Sequence, residues 1–188
     1  HRPPHGNAVQ LTLDAELQTQ AQEALAGGTG AAVLLDAVTG EILVLASSPT
    51  FDPAHLDEEW EALSENPDAP LLNRATQGLY QPGAAIQTVI VAESMDAGLT
   101  RITSPVDNAT QRLLINGTPL GCNGSITEPL TLANAYADAC PAPIAELGAR
   151  LDADGLAAAV EHWKLTTPPP LEIATEASDW NAETLSNT

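Results

Sequence analysis

The sequence predicts an α+β fold, a small antiparallel sheet packed against helices, and three observations carry that prediction. Hydrophobic residues make up 44% of the 188 residues but aromatic ones only 3%, so the core is built from Leu, Val, Ile and Ala. Two apolar runs, residues 31–36 and 41–46, are joined by Ala37-Val38-Thr39-Gly40, which predicts a β-hairpin. Their near-continuous hydrophobicity predicts burial on both faces. A long apolar run follows Pro82-Gly83 and ends near Gly98, which predicts a buried helix over residues 84–96, expected to be the most buried element.

The remaining elements follow from local pattern. Val9 to Leu13 alternates apolar and polar residues and predicts a short strand. Asp14 stands as an N-cap before Leu17, Ala21, Ala24 and Leu25, which share one helical face, and Gly27-Gly28 ends that helix. Residues 56–66 predict an acidic, solvent-facing helix around Trp60 and Leu63. Asn116-Gly117 and Asn123-Gly124 are turn signals expected to close short hairpins. Residues 130–147 read as helical with interruptions at Pro141 and Pro143. Residues 155–163 predict another helix, and Pro168-Pro169-Pro170 ends the regular structure.

Charge excludes several functions. Six Lys+Arg against 25 Asp+Glu give a formal charge of −19, which rules out a nucleic-acid backbone binder and disfavours an anionic membrane surface. No stretch approaches the roughly 18 to 20 apolar residues of a membrane span. His1-Arg2-Pro3-Pro4-His5-Gly6 is turn-rich and reads as a linker over residues 1–8, ahead of a domain over 9–172 and a polar segment over 173–188. The two cysteines, Cys122 and Cys140, are equally compatible by spacing with buried thiols and with a disulfide. The chain holds a single lysine, Lys164.

Several segments together resemble one family. Leu11-Thr12-Leu13-Asp14 with Leu17-Gln18 is similar to the segment that opens the transpeptidase domain of penicillin-binding proteins. Gly30-Ala31-Ala32-Val33-Leu34-Leu35-Asp36, followed by Thr39-Gly40-Glu41 and the run to Ser48-Pro49, resembles that family's first hairpin. Asn73-Arg74-Ala75 with Gly78, Tyr80, Pro82 and Gly83 resembles the approach to its active-site helix. The likeness runs from about Gln10 to about Glu172 and is closest in pattern to the class B type.

The resemblance implies a chemistry of three groups: a serine at a helix start, a lysine one turn later for proton transfer, and Ser-x-Asn and Lys-Thr-Gly segments about the cleft. Here the first motif falls on Pro82-Gly83-Ala84-Ala85-Ile86-Gln87, with Ala84 at the nucleophile's position and Gln87 at the lysine's. A methyl group cannot attack a carbonyl, and a neutral amide cannot take up a hydroxyl proton. Ala139 stands where the family has serine and Pro141 where it has asparagine. Lys164 is followed by Leu165-Thr166 and preceded three residues earlier by Glu161, so the chain contains neither Lys-Thr-Gly nor Ser-x-x-Lys.

Other candidates have plainer explanations. Ser64-Glu65-Asn66 matches Ser-x-Asn but precedes the active-site helix in the acidic segment. Asp57-Glu58-Glu59 with Glu61 reads as a solvated helix face, and His55 with Asp57 lacks a further ligand at metal spacing. His162 beside Trp163 reads as a partly buried packing residue, and Arg74 as a group that orders backbone carbonyls. Asn108-Ala109-Thr110, Asn116-Gly117-Thr118 and Asn123-Gly124-Ser125 fit a glycosylation pattern that turn chemistry explains better.

The expectation is therefore a catalytically inactive, transpeptidase-like binding or scaffolding module of the bacterial cell envelope, with no cofactor and no metal. Its expected partners are envelope-assembly proteins or peptidoglycan stem peptides. The rival readings are an active D,D-transpeptidase that binds penicillin, and a regulatory ectodomain fragment of a larger membrane-anchored protein. The resemblance also implies further sheet strands after Pro168-Pro169-Pro170, which the sequence to Thr188 does not supply. The expected sheet therefore has an open edge, to be covered by a helix or by another chain, with a homodimer as one form of cover.

Overall fold

The computed structural model describes residues 8–115, 117–125 and 128–180. The elements run in the order α1 (Ala15–Leu25), β1 (Gly30–Leu35), β2 (Ile42–Ser48), a 3₁₀ turn (Pro53–His55), α2 (Leu56–Ser64), α3 (Arg74–Gln77), α4 (Ala85–Asp96), β3 (Leu113–Ile115), β4 (Thr118–Leu120), α5 (Leu132–Ala137) and α6 (Pro141–His162). They form two compact units. One holds the described residues up to Leu79 with Pro169–Glu176, and the other holds Tyr80–Pro168 with the described residues after Glu176.

In the first unit the Asp14 carboxylate accepts the amides of Glu16 and Leu17, both at 3.0 Å, and so caps α1. Gly27, at φ +80°, turns the chain out of the helix. β1 and β2 pair antiparallel from Gly30↔Ser48 to Leu35↔Ile42, with an irregularity between Leu34 and Leu35. Asp36 accepts the amides of Thr39 (2.7 Å) and Val38 (2.8 Å) in the connecting loop. Those donors, Thr39 foremost, hold its carboxyl below the usual range.

The far edge of β2 is closed by side chains and one stray amide. Gln18 on α1 accepts the Leu45 N–H at 2.9 Å and donates to the Leu45 carbonyl at 3.1 Å, so a single side-chain amide stands in for a neighbouring strand's peptide group. Asp14 N–H reaches the Leu43 carbonyl (2.9 Å) and the Thr12 hydroxyl the Ile42 carbonyl (2.6 Å). Two successive carbonyls facing the same side is what a bulge produces, and the register shift lies at this point. Residues 9–13 lie along this edge yet are not the strand their alternation predicts. Apart from the bonds just named they form no ladder, and Val9 (79% exposed) and Leu11 (66%) bury too little to hold one. β2 buries Val44 and Ala46, but Val33, Leu34 and Leu35 of β1 are exposed, so the hairpin is not buried on both faces as its sequence predicts. Apolar composition records a capacity for burial, not the presence of a covering layer.

Asn73 caps α3 through its side chain, and Arg74, buried, donates to the carbonyls of Asp68 and Ala69 while its own N–H goes to Ser47 Oγ (3.0 Å). The guanidinium thus orders a turn, as its sequence context predicts.

The second unit is helical around a small core of Val91, Leu132, Ile144 and Leu147, against which Ile90 and Val106 pack. α4 ends at Gly98 (φ +69°), where Leu99 N–H returns to the Ser94 carbonyl. α4 buries only Val89, Val91 and Ser94, whereas α6 buries seven residues, so α4 is not the most buried element. Pro141 and Pro143 begin α6 rather than interrupt a helix, because the first turn's N–H groups have no intrahelical acceptor to lose. A true break lies at Asp152 (φ 60°), whose carboxylate accepts the amides of Asp154 and Gly155 and restarts the helix. β3 and β4 pair antiparallel about Gly117, while Asn116 lies outside the described residues. Among the described residues Asn123-Gly124 closes no hairpin, and Asn123 N–H bonds the Asp138 carbonyl.

Replacing Gln18 by Leu strips the Leu45 peptide of both partners in a half-buried position. The expected loss is about 1–3 kcal/mol in urea unfolding, and an unchanged midpoint would show that water substitutes fully for the amide.

Candidate functional site

The four positions that the resemblance assigns to catalytic groups lie in one compact unit, at two helix starts. Gly83, at φ +53°, bends the chain into α4, and Ala85 N–H bonds the Pro82 carbonyl at 3.0 Å. Ala84 precedes α4 in helical conformation (φ −67°, ψ −13°) and makes no capping bond. The capping residues Asp14, Asn73 and Thr131 are instead extended and bond back to their helices. Position 84 thus lies at a helix start, where the resemblance places the nucleophile. What stands there is an exposed methyl group. Gln87, one turn on and half-buried, shares its helix face.

The second pair sits at the α5–α6 junction. Ala139 adopts φ +48°, a left-handed conformation unusual for a residue with a Cβ, and its N–H bonds the Tyr136 carbonyl. Pro141 is the first residue of α6, a position its ring suits and from which it donates nothing. The junction is held from two directions. Cys122 and Cys140 are joined in a disulfide with Cα atoms 4.0 Å apart, and Cys140 is fully buried beside Ala109 and Ala135. On the α4 side, the hydroxyls of Thr88 and Tyr136 lie 2.7 Å apart, tying the residue after Gln87 to α5.

A third group was not legible in the sequence. Glu93 on α4 accepts both His162 Nδ1–H and Trp163 Nε1–H at 2.7 Å. The bond from Trp163, then that from His162, holds the Glu93 carboxyl below its ordinary value of 4.5. Glu93 lies 69 and 70 positions from the adjacent His162 and Trp163, and nothing local announces the pairing. The His162 side chain is 68% exposed, so it is a surface hydrogen-bond donor and not the packing residue its sequence context suggests.

The remaining candidates serve local structure. The Ser64 hydroxyl bonds the Glu61 carbonyl and Asn66 accepts from Asp68 N–H, so Ser64-Glu65-Asn66 closes the end of α2. Asp57, Glu58 and Glu59 occupy the exposed first turn of α2, where negative charge suits the helix dipole. His55 pairs with Asp52 at 3.1 Å, and among the described residues no three His, Cys, Asp or Glu side chains converge. Asn108 donates to Glu146. Lys164, at φ 52°, occupies the position after α6 where glycine is usual: its N–H meets the Glu161 carbonyl and Leu165 N–H the Val160 carbonyl.

The α+β elements, with an exposed helix start at Ala84 and an α5–α6 junction tied to α4 by the Thr88–Tyr136 contact, have the arrangement of a transpeptidase-type domain. The family model for the penicillin binding protein transpeptidase domain matches residues 30–187, and the chain belongs to that family. Peptidoglycan D,D-transpeptidase PbpA of Mycolicibacterium smegmatis is 32% identical over 190 residues, covering 90% of this chain and 38% of the relative. Peptidoglycan D,D-transpeptidase MrdA of Escherichia coli is 37% identical over 111 residues, 56% of this chain and 18% of the relative. Among solved structures, the D,D-transpeptidase domain of a peptidoglycan glycosyltransferase from Eggerthella lenta superposes with a TM-score of 0.80 at 29% identity, covering 94% of this chain and 43% of that one. The penicillin G acyl-enzyme complex of penicillin-binding protein A from M. tuberculosis does so with a TM-score of 0.73 at 26% identity, over 93% and 45%. The chain thus spans less than half the length of these relatives.

Reduction of Cys122–Cys140 releases a loop with a sequence separation of 18. It is expected to lower stability by about 3 kcal/mol in the chain-entropy model, read from urea unfolding with and without a thiol reductant.

Glu93 has its folded pKa below its unfolded one, so its contribution is complete above about 4.5 and is lost as pH falls through the folded value. Glu93→Gln is therefore expected to flatten the fall in stability below that pH. An identical acid limb in both proteins would rule out the bonded carboxylate as its source.

Proposed function

We propose that this chain is a catalytically inactive member of its family, a pseudo-transpeptidase that serves as a binding or scaffolding module in peptidoglycan assembly at the bacterial cell envelope. One observation carries the reading: α4 starts in helical conformation at position 84, and that position holds a methyl group and position 87 a neutral amide. The absence of Ser-x-x-Lys from the whole sequence, with its one lysine spent at the end of α6, removes a substitute pair in another register. Ala139 and Pro141 remove a hydroxyl and an amide from the facing junction in the same way. Without a nucleophile and its base the unit forms no acyl intermediate, and what remains is a surface of the family's shape. The partners that suit such a surface are envelope-assembly proteins, or peptide stems held without turnover.

The competing reading is an active D,D-transpeptidase. It is favoured by the names of the relatives and by the penicillin G acyl-enzyme form of one of them. Incubation with penicillin G followed by intact-mass measurement separates the two. The inactive module keeps its mass unchanged. A gain of one β-lactam would overturn the proposal and require a nucleophile other than residue 84.

A further inference from the structure

Asn123 with Gly124 differs from every other described asparagine and the residue after it. An asparagine side chain reacts with the backbone N–H that follows it only where both groups are unbonded and can approach each other. Asn66 accepts the Asp68 N–H and precedes Pro67, which has no N–H to react. Asn73 caps α3, and the Arg74 N–H after it is taken by Ser47 Oγ. Asn108 donates to Glu146. Asn134 donates to the Pro129 carbonyl, and the Ala135 N–H after it is bonded to the Thr131 carbonyl. Among the described residues, neither the Asn123 side chain nor the Gly124 N–H has a hydrogen-bond partner. Gly124 also lacks the side chain that would crowd the approach. Beyond its chain neighbours, a Cβ there would meet one group within 4 Å, the Asp138 carboxylate at 3.7 Å.

We propose that Asn123 deamidates through a cyclic imide with Gly124, and that the carboxylate so formed loosens the α5–α6 junction. The Gly124 nitrogen attacks Asn123 Cγ, its proton passes through solvent to the side-chain NH2, and ammonia leaves. Water then opens the imide. Attack at Cγ gives aspartate, and attack at the Asn123 main-chain carbonyl gives isoaspartate. Either way an amide becomes an acid, with water as the one co-reactant.

The new charge falls on a loop that braces the junction. Asn123 N–H bonds the Asp138 carbonyl at 2.8 Å, and the preceding Cys122 is joined to Cys140, which lies between Ala139 and Pro141. A carboxylate at residue 123 therefore stands beside that of Asp138, where like charges repel. Isoaspartate also lengthens the backbone by a methylene directly after the disulfide. All the reacting and responding groups lie within residues 122–140 of one compact unit, and the inference stands whether or not the α4 site is active.

The test is to age the whole chain in warm buffer at neutral pH and follow its intact mass and fragment spectra. The expected change is the amide-to-acid gain at Asn123, ahead of any at Asn66, Asn73, Asn108 or Asn134. Labelling by an isoaspartyl methyltransferase identifies the isoaspartate fraction. Gly124→Ala, whose Cβ has ordinary room, is expected to slow the gain by an order of magnitude. Asn123→Asp supplies the charge without ageing. It is expected to lower the urea midpoint at low salt and to speed hydrogen exchange at the Ala139 and Cys140 amides, and Asp138→Asn is expected to suppress both effects. No acid at Asn123, a gain no faster than at the bonded asparagines, or a rate that Gly124→Ala leaves unchanged would overturn the deamidation. An Asn123→Asp chain with unaltered midpoint and exchange would overturn its effect on the junction.

Discussion

Leu45 hands both of its peptide groups to the Gln18 side chain, and that exchange fixes which way every peptide of the hairpin faces. A strand alternates its bonding side residue by residue. Once Leu45 is committed outward, Val44 and Ala46 are committed inward, and β1 receives its register from them. α1 is thereby held against the sheet by a directional contact as well as by its half-buried Leu17, Ala21 and Leu25. A leucine or glutamate at position 18 could pack at the same place, but neither offers donor and acceptor together in one planar group.

Elements set by local chemistry were legible in the sequence, and those set by distant contacts were not. The hairpin, the Asp14 cap and the glycine stop at Gly98 depend on residues within a few positions of one another, and their signals survive in any context. The alternation of residues 9–13 is equally local, yet a strand also needs a ladder partner, and only scattered bonds reach β2. Burial at Val33–Leu35 and along α4 likewise depends on distant covering layers that the local sequence does not show. Pro141 and Pro143 look like breaks in the sequence because a proline has the same signal whether it ends a helix or begins one.

At the candidate site, Ala84, Gln87, Ala139 and Pro141 are assigned in the sequence by the motif spacing of the resembled family. What it could not supply is conformation. The helical backbone at Ala84 and the left-handed backbone at Ala139 are properties of the folded chain. Family membership rests on shape and spacing over most of the chain, whereas the proposed loss of activity rests on a few side chains at two helix starts.

Lys164 has a practical meaning beyond its absence from any catalytic motif. It is exposed, follows the last turn of α6, and is the chain's sole side-chain amine. An amine-reactive fluorophore or surface linker thus has one side-chain address, in the same unit as the α4 start but outside the hairpin. Orientation-controlled capture of binding partners follows without introducing a tag or a new cysteine.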